Sequence, residues 1–177
     1  MTDDTPQDIG AVAKRWWRRT IRPDHESGRA RAVRAMLRRA ESPLDVVVVP
    51  EVHDLNHALA AAGRDLTRDA DRLALVAVVL ANLESDTPDR AAARMGGAHA
   101  SRAPVSALRF QRLVRTRRPG ELMRPLTRAL AQIDHAANVR ALSRDLLTWG
   151  ERTRRNWCFD YYGAARPTEA QEKEAVS

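Results

Sequence analysis

The chain offers few side chains that could make or break a covalent bond, and many that could hold a polyanion. His53-Asp54-Leu55-Asn56-His57 places two histidines at i and i+4. On a helix they share a face, as in the His-Glu-x-x-His helices of zinc hydrolases. Here Asp54 follows the first histidine, one methylene shorter than the glutamate that serves as base, and no third ligand follows at a fixed spacing. A metal-dependent hydrolase built on His53 and His57 is therefore a rival reading; the expectation is no metal and no cofactor. Cys158, the only cysteine, lies between Trp157 and Phe159 and reads as a small packed hydrophobe rather than a nucleophile. Gly96-Gly97 is followed by no Gly-Lys-Ser or Gly-Lys-Thr, so it makes no phosphate loop. No Ser/His/Asp ordering suggests a triad. The chain is expected not to be an enzyme.

The arginines carry a stronger signal. Lys14 and Lys173 are the only lysines, so 28 of the 30 basic residues are arginine, and the net charge is +7. Residues 1–13 carry −3 and residues 167–177 carry −2, which leaves +12 for 14–166. The planar guanidinium fork fits phosphate and stacks on bases, and clustered arginine marks a polyanion binder. The competing explanation is a GC-rich genome, which inflates Arg and Ala whatever the function. Three groups recur at helical spacing: Arg34, Arg38 and Arg39; Arg109, Arg112 and Arg115, with Arg117 and Arg118; and Arg152, Arg154 and Arg155. Phe110, Leu113 and Val114 interleave with the second group, and residues 107–120 contain no acid. A solvated helix face would alternate acids with bases. An all-basic face instead suggests a surface that tracks phosphates.

The elements that must position these residues read as helices. Alanine and leucine are abundant, aromatics are few, and proline and glycine separate periodic runs. Helices are expected over about 6–21, 27–41, 51–62, Thr67 to Leu83, 105–115, 119–136 and 138–162. The last carries Val139, Leu142, Leu146, Trp149, Thr153 and Trp157 at spacings of three or four, one continuous apolar stripe. Trp149 and Trp157 are expected in the core; Tyr161 and Tyr162 either stack on bases or pin this helix. Ser42-Pro43-Leu44-Asp45 reads as a helix start. Val46–Val49 reads as irregular or briefly helical. The Thr67–Leu83 helix is apolar on most faces and should be central. Residues 84–104 read as a long loop, functional, mobile or dividing two helical subdomains. Residues 164–177 read as a polar flexible tail.

The expected fold is all-α, a bundle of about seven helices with residues 1–163 as one domain. One cysteine permits no intrachain disulfide and fits a reducing cytosol. No apolar run reaches the roughly 18–20 residues needed to span a bilayer, and Met1–Asp8 is acidic, without a signal-peptide layout. A cytoplasmic protein without a membrane partner is expected.

Three segments carry a family resemblance. They are Arg31-Ala-Val-Arg-Ala-Met-Leu-Arg-Arg-Ala-Glu-Ser-Pro43, followed by Val49-Pro50 and His57-Ala-Leu; Leu108-Arg-Phe-Gln-Arg-Leu-Val-Arg115; and Leu142-Ser-Arg-Asp-Leu-Leu-Thr-Trp-Gly150 with Arg154-Arg-Asn-Trp-Cys-Phe-Asp-Tyr-Tyr162. Over about residues 12–163, in order and spacing, the chain resembles CasB, the small subunit of the type I-E CRISPR surveillance complex Cascade. Val46–Val49 and the 84–104 loop depart from the family pattern. The resemblance implies an all-α protein without catalysis, two copies of which lie head to tail beside the crRNA-bearing CasC backbone and near the large subunit CasA. It implies basic surfaces that hold the target strand and the displaced strand of the R-loop in antiviral defence. The family's basic positions correspond to Arg38, Arg39, Arg109, Arg115, Arg118, Arg128 and Arg152. With the helical groups, the expected nucleic-acid-binding set is Arg34, Arg38, Arg39, Arg109, Arg112, Arg115, Arg118, Arg128, Arg152, Arg154 and Arg155. A free-standing helical DNA-binding regulator is the alternative; it would need Asn or Gln aimed at base edges, and the arginine segments are poor in both.

Overall fold

The fold comes from a computed structural model that describes residues 8–97 and 102–166. It is all-α, as expected, with one minimal two-stranded bridge. In chain order the helices are α1 (Ile9–Trp16), continued by a π turn (Trp17–Ile21), α2 (Gly28–Arg39), α3 (Pro43–Val47), α4 (Pro50–Ala61), α5 (Ala70–Asn82), α6 (Ala91–Gly96), α7 (Ala107–Arg115), α8 (Pro119–Ala131), α9 (Val139–Leu147) and α10 (Glu151–Tyr161).

Local chemistry sets most boundaries. Side chains of Asp8, Ser27, Asp69 and Asn138 each accept a backbone N–H in the first turn of α1, α2, α5 and α9. Ser42 and Asp45 form the reciprocal capping box of α3, and proline opens α3, α4 and α8. Gly63 stops the chain after α4 in the left-handed region, φ +82°. The valine run resolves as the end of α3 and the cap of α4, with Val46 and Val49 buried and Val48 exposed.

α5 is the hub. Every residue from Leu73 to Ala81 is buried, because α2, α3, α8 and α9 all pack around it. α1 lies on α9, while α10 packs on α6 and α7. One cluster of buried side chains draws members from every helix.

Three expectations are corrected. The count of about seven helices rises to ten among the described residues. One of the three extra helices is α3, and another is α6, inside the segment expected to be a loop. α6 buries Ala91, Ala92 and Met95. Gly96 lets it approach α10 so closely that a Cβ there would sit 1.9 Å from the Tyr161 carbonyl oxygen. The same segment holds β1 (Ser85–Asp86), paired in parallel with β2 (Ala136–Ala137). The third correction is the expected 138–162 helix, which divides at Thr148–Gly150 into α9 and α10. Gly150 is extended, and Thr148 and Thr153 turn their hydroxyls onto backbone carbonyls at the break, 2.8 Å to Arg144 O and 2.8 Å to Thr148 O. The apolar stripe survives the break: Val139, Leu142, Leu146, Trp149 and Trp157 are all buried, and Thr153 is half-buried. Of the expected tail, Arg166 is held by the Asp160 carboxylate, and 167–177 lie outside the described residues.

Asp8 also closes the start of α1 onto α9, through ion pairs with Arg140 and Arg144. Burial alone would raise its pKa, but hydrogen bonds from Arg144 and Arg140 outweigh that and bring it from 3.8 to about 2. A depressed folded pKa contributes stability above the unfolded value, and that stability is lost as pH falls through the folded one. Asp8→Asn is therefore expected to melt at lower temperature than the parent chain near neutral pH. The gap should close between about pH 4 and pH 2, which a pair of pH-dependent melting curves would check.

Candidate nucleic-acid interface

α7 is rooted by its inner side. Phe110 and Leu113 are buried. Phe110 stacks on Tyr161 with ring centroids 4.0 Å apart, and the Tyr161 hydroxyl donates to Val105 O at 2.7 Å. Tyr161 thus pins α10, whereas Tyr162 is exposed. At the far end of α7, the Trp149 indole donates to Thr116 O at 2.9 Å and Arg154 donates to Val114 O at 3.2 Å. With its inner side fixed, the helix presents Arg109, Arg112 and Arg115 outward, all exposed.

α8 runs alongside and adds Arg124 and Arg128, one turn apart and exposed. Two hollows flank it. One, of about 510 Å³ between α7 and α8, is lined by Arg109, Arg112 and Arg128. The other, of about 570 Å³ between α8 and the end of α2, is lined by Arg38, Arg39, Arg124 and Arg128. Arg128 belongs to both, so a basic track crosses α8 from the end of α2 to the outer face of α7. Among the described residues Arg39, Arg109, Arg112, Arg115 and Arg128 have no carboxylate partner. Arg118 lies beyond the track, 82% exposed, with Glu121 at 3.6 Å. Glu41 meets Arg124 only at 3.9 Å, both largely exposed, a contact worth little in water.

Other expected site arginines are engaged by the protein's own groups or lie on α10. Arg34 donates to Ile21 O at 3.0 Å, closing the π turn, and pairs with Glu26. Arg38 donates to Ala81 O at 2.8 Å and to Glu84 at 3.2 Å. The Arg38 hydrogen bond, with the charges of Arg22 and Arg38, holds the Glu84 carboxyl below its ordinary range despite some desolvation. Arg154 is spent on Val114 and Gly150 carbonyls. Arg152 and Arg155 are exposed on α10, each interacting with a neighbour. Arg124 is absent from the set expected from sequence, although its i, i+4 spacing with Arg128 is a usable signal.

The rival residues sit elsewhere. His53 and His57 are exposed on α4, and a His53 ring nitrogen lies 2.7 Å from Val47 O. Among the described residues no three His, Cys, Asp or Glu side chains converge to hold a metal ion. Cys158 is half-buried against the core. No helix among the described residues is long and apolar enough to cross a membrane.

The sequence profile of the family described as CRISPR-associated protein Cse2 matches residues 33–162, from the first turns of α2 to the end of α10. The chain belongs to the Cse2 family. Cse2 and CasB are two names for one family, so the resemblance read from the sequence holds. The fold is similar to a chain in the crystal structure of E. coli Cascade bound to a PAM-containing double-stranded DNA target with a 32-nucleotide spacer. The TM-score is 0.61 at 16% identity, over 92% of this chain and 100% of that one. No curated relative matches the sequence. The Cse2 match includes both hollows and the whole basic track, and begins after α1 and the π turn.

Proposed function

We propose that this Cse2 protein is a non-catalytic, cytoplasmic subunit of a Cascade complex that holds the separated DNA strands of the R-loop along its α7–α8 arginine track. The observation that carries the reading is the set of exposed arginines around α8 without carboxylate partners. Such a surface is incomplete until a polyanion covers it. It reads phosphates and not bases, which suits a complex in which guide pairing supplies the sequence information. Strand exchange against guide RNA is close to balanced, so a few backbone contacts suffice to tip it. The neighbours in this reading are crRNA, CasC and CasA, with a second copy of the chain extending the track. Membership of the Cse2 family and the likeness to a chain of DNA-bound E. coli Cascade support it.

The purified chain is expected to bind single-stranded DNA in preference to duplex, with no sequence preference. Three neutralised phosphates would give a log–log salt slope of about −2 between roughly 50 and 200 mM salt. A titration by fluorescence anisotropy checks this. Preference for one duplex sequence would instead favour the free-standing regulator, and salt-independent binding would remove the phosphate track.

A further inference from the structure

The two hollows that flank α8 differ in chemistry. The α2–α8 hollow includes the Glu41 carboxylate, and its Arg38 is already bonded to Ala81 O and Glu84. No carboxylate lines the α7–α8 groove. Its apolar surface is Pro125, exposed on α8, with Leu113 and Ala129 nearly buried beneath it as the floor, and its rim carries Arg109, Arg112 and Arg128. A surface that only tracked phosphates would need the rim and not the floor. We infer that this groove seats one unpaired nucleotide of a bound strand, its base against the apolar floor and its phosphate among the three arginines. This rests on the strand-holding reading and adds to it a contact to the base.

The walls are set before any ligand arrives. Arg109 donates to Gln132 Oε1 at 3.2 Å, and Gln132 Nε2 donates to Arg128 O at 3.3 Å. The Thr116 hydroxyl donates to Arg112 O at 3.1 Å. These bonds commit the Thr116 proton and one donor and one acceptor site of Gln132, part of what could otherwise read a base edge. What faces a ligand is apolar surface and guanidinium, which meet the flat face of any base. Contact with the flat face accepts any base, and a paired base, kept in the stack by its neighbours, does not enter the slot. Shape adds a preference for single strands that charge alone does not supply.

The test compares the full chain's binding of oligo-dT with its binding of an abasic strand of equal length and charge at one low salt concentration. The parent chain is expected to favour oligo-dT by about ten-fold, near the lower end of what base contacts contribute. Ala129→Leu fills the floor, and Pro125→Trp crowds the groove from an exposed position of α8. In either variant, once melting shows it folded, the preference should fall to about one. Equal affinity of the parent chain for the two strands overturns the slot while leaving phosphate tracking in place. A preference that survives both fillings moves the base contact to another surface and also overturns it. Absence of strand binding by the parent chain overturns the strand-holding reading itself, and the slot with it.

Discussion

Replacing Trp157 with alanine is expected to cost about 3–5 kcal/mol of folding stability, in line with large aromatic truncations in cores. Phenylalanine at the same position is expected to cost about 1–3 kcal/mol, that of a buried polar group left without its partner. Trp157 is 1% exposed and meets Trp149 edge-on, with centroids 5.0 Å apart. Its indole N–H donates to Asp145 Oδ2 at 2.7 Å. Asp145 is largely buried, and burial pushes its carboxyl pKa up; the Trp157 bond and the Arg90 charge, 3.9 Å away, pull the other way and do not win. A raised folded pKa contributes stability that is present below the ordinary value of 3.8 and lost as pH rises through the folded value. Removing the indole donor raises it further. The Trp157→Phe deficit should therefore be largest near neutral pH and shrink toward acid, where Asp145 takes up a proton. Urea denaturation at both ends of that range separates the two contributions: a deficit independent of pH would assign the loss to packing rather than to the carboxylate.

The second large effect concerns binding. Reversing Arg109, Arg112 and Arg128 to glutamate should weaken single-strand binding by at least about a hundredfold and flatten the log–log salt slope by roughly 2, about 0.7 for each phosphate no longer neutralised. All three side chains are exposed, so the melting temperature should change little. Arg154→Ala should do the reverse. It releases the Val114 and Gly150 carbonyls and lowers stability, while the salt slope stays as it was. Binding isotherms across salt for the two variants decide between the roles. A triple variant that keeps the parent slope would place the strand elsewhere on the molecule.

That contrast marks what could be read in the sequence. Spacing identified Arg109, Arg112 and Arg115 as one helix face, and the absence of acids over 107–120 flagged it as unusual. Spacing could not show that Arg34, Arg38 and Arg154 are bonded to the protein's own backbone, because their acceptors are carbonyls on other elements, 13, 43 and 40 residues away in the chain. The capping box at Ser42 and Asp45 was legible because it is local. The β1–β2 bridge was not, because Ser85 follows α5 and Ala136 follows α8, and the packing of those two helices, rather than a turn, brings them together. The division of 138–162 was hidden for a related reason. The apolar stripe continues across it, and the bond that holds Trp149 at the break runs to Thr116, in another element.

The packing of α1 on α9 has a consequence for biosynthesis. The two helices begin 130 residues apart, at Ile9 and Val139. On a ribosome adding roughly 5–20 residues per second, the first helix waits on the order of ten seconds for the surface it will cover. Gly10, which packs directly on the Arg140 backbone, and Asp8, which pairs with Arg140 and Arg144, spend that interval without those partners. α1 is thus made well before the surface that secures it, and it stays open to capture by chaperones through that interval.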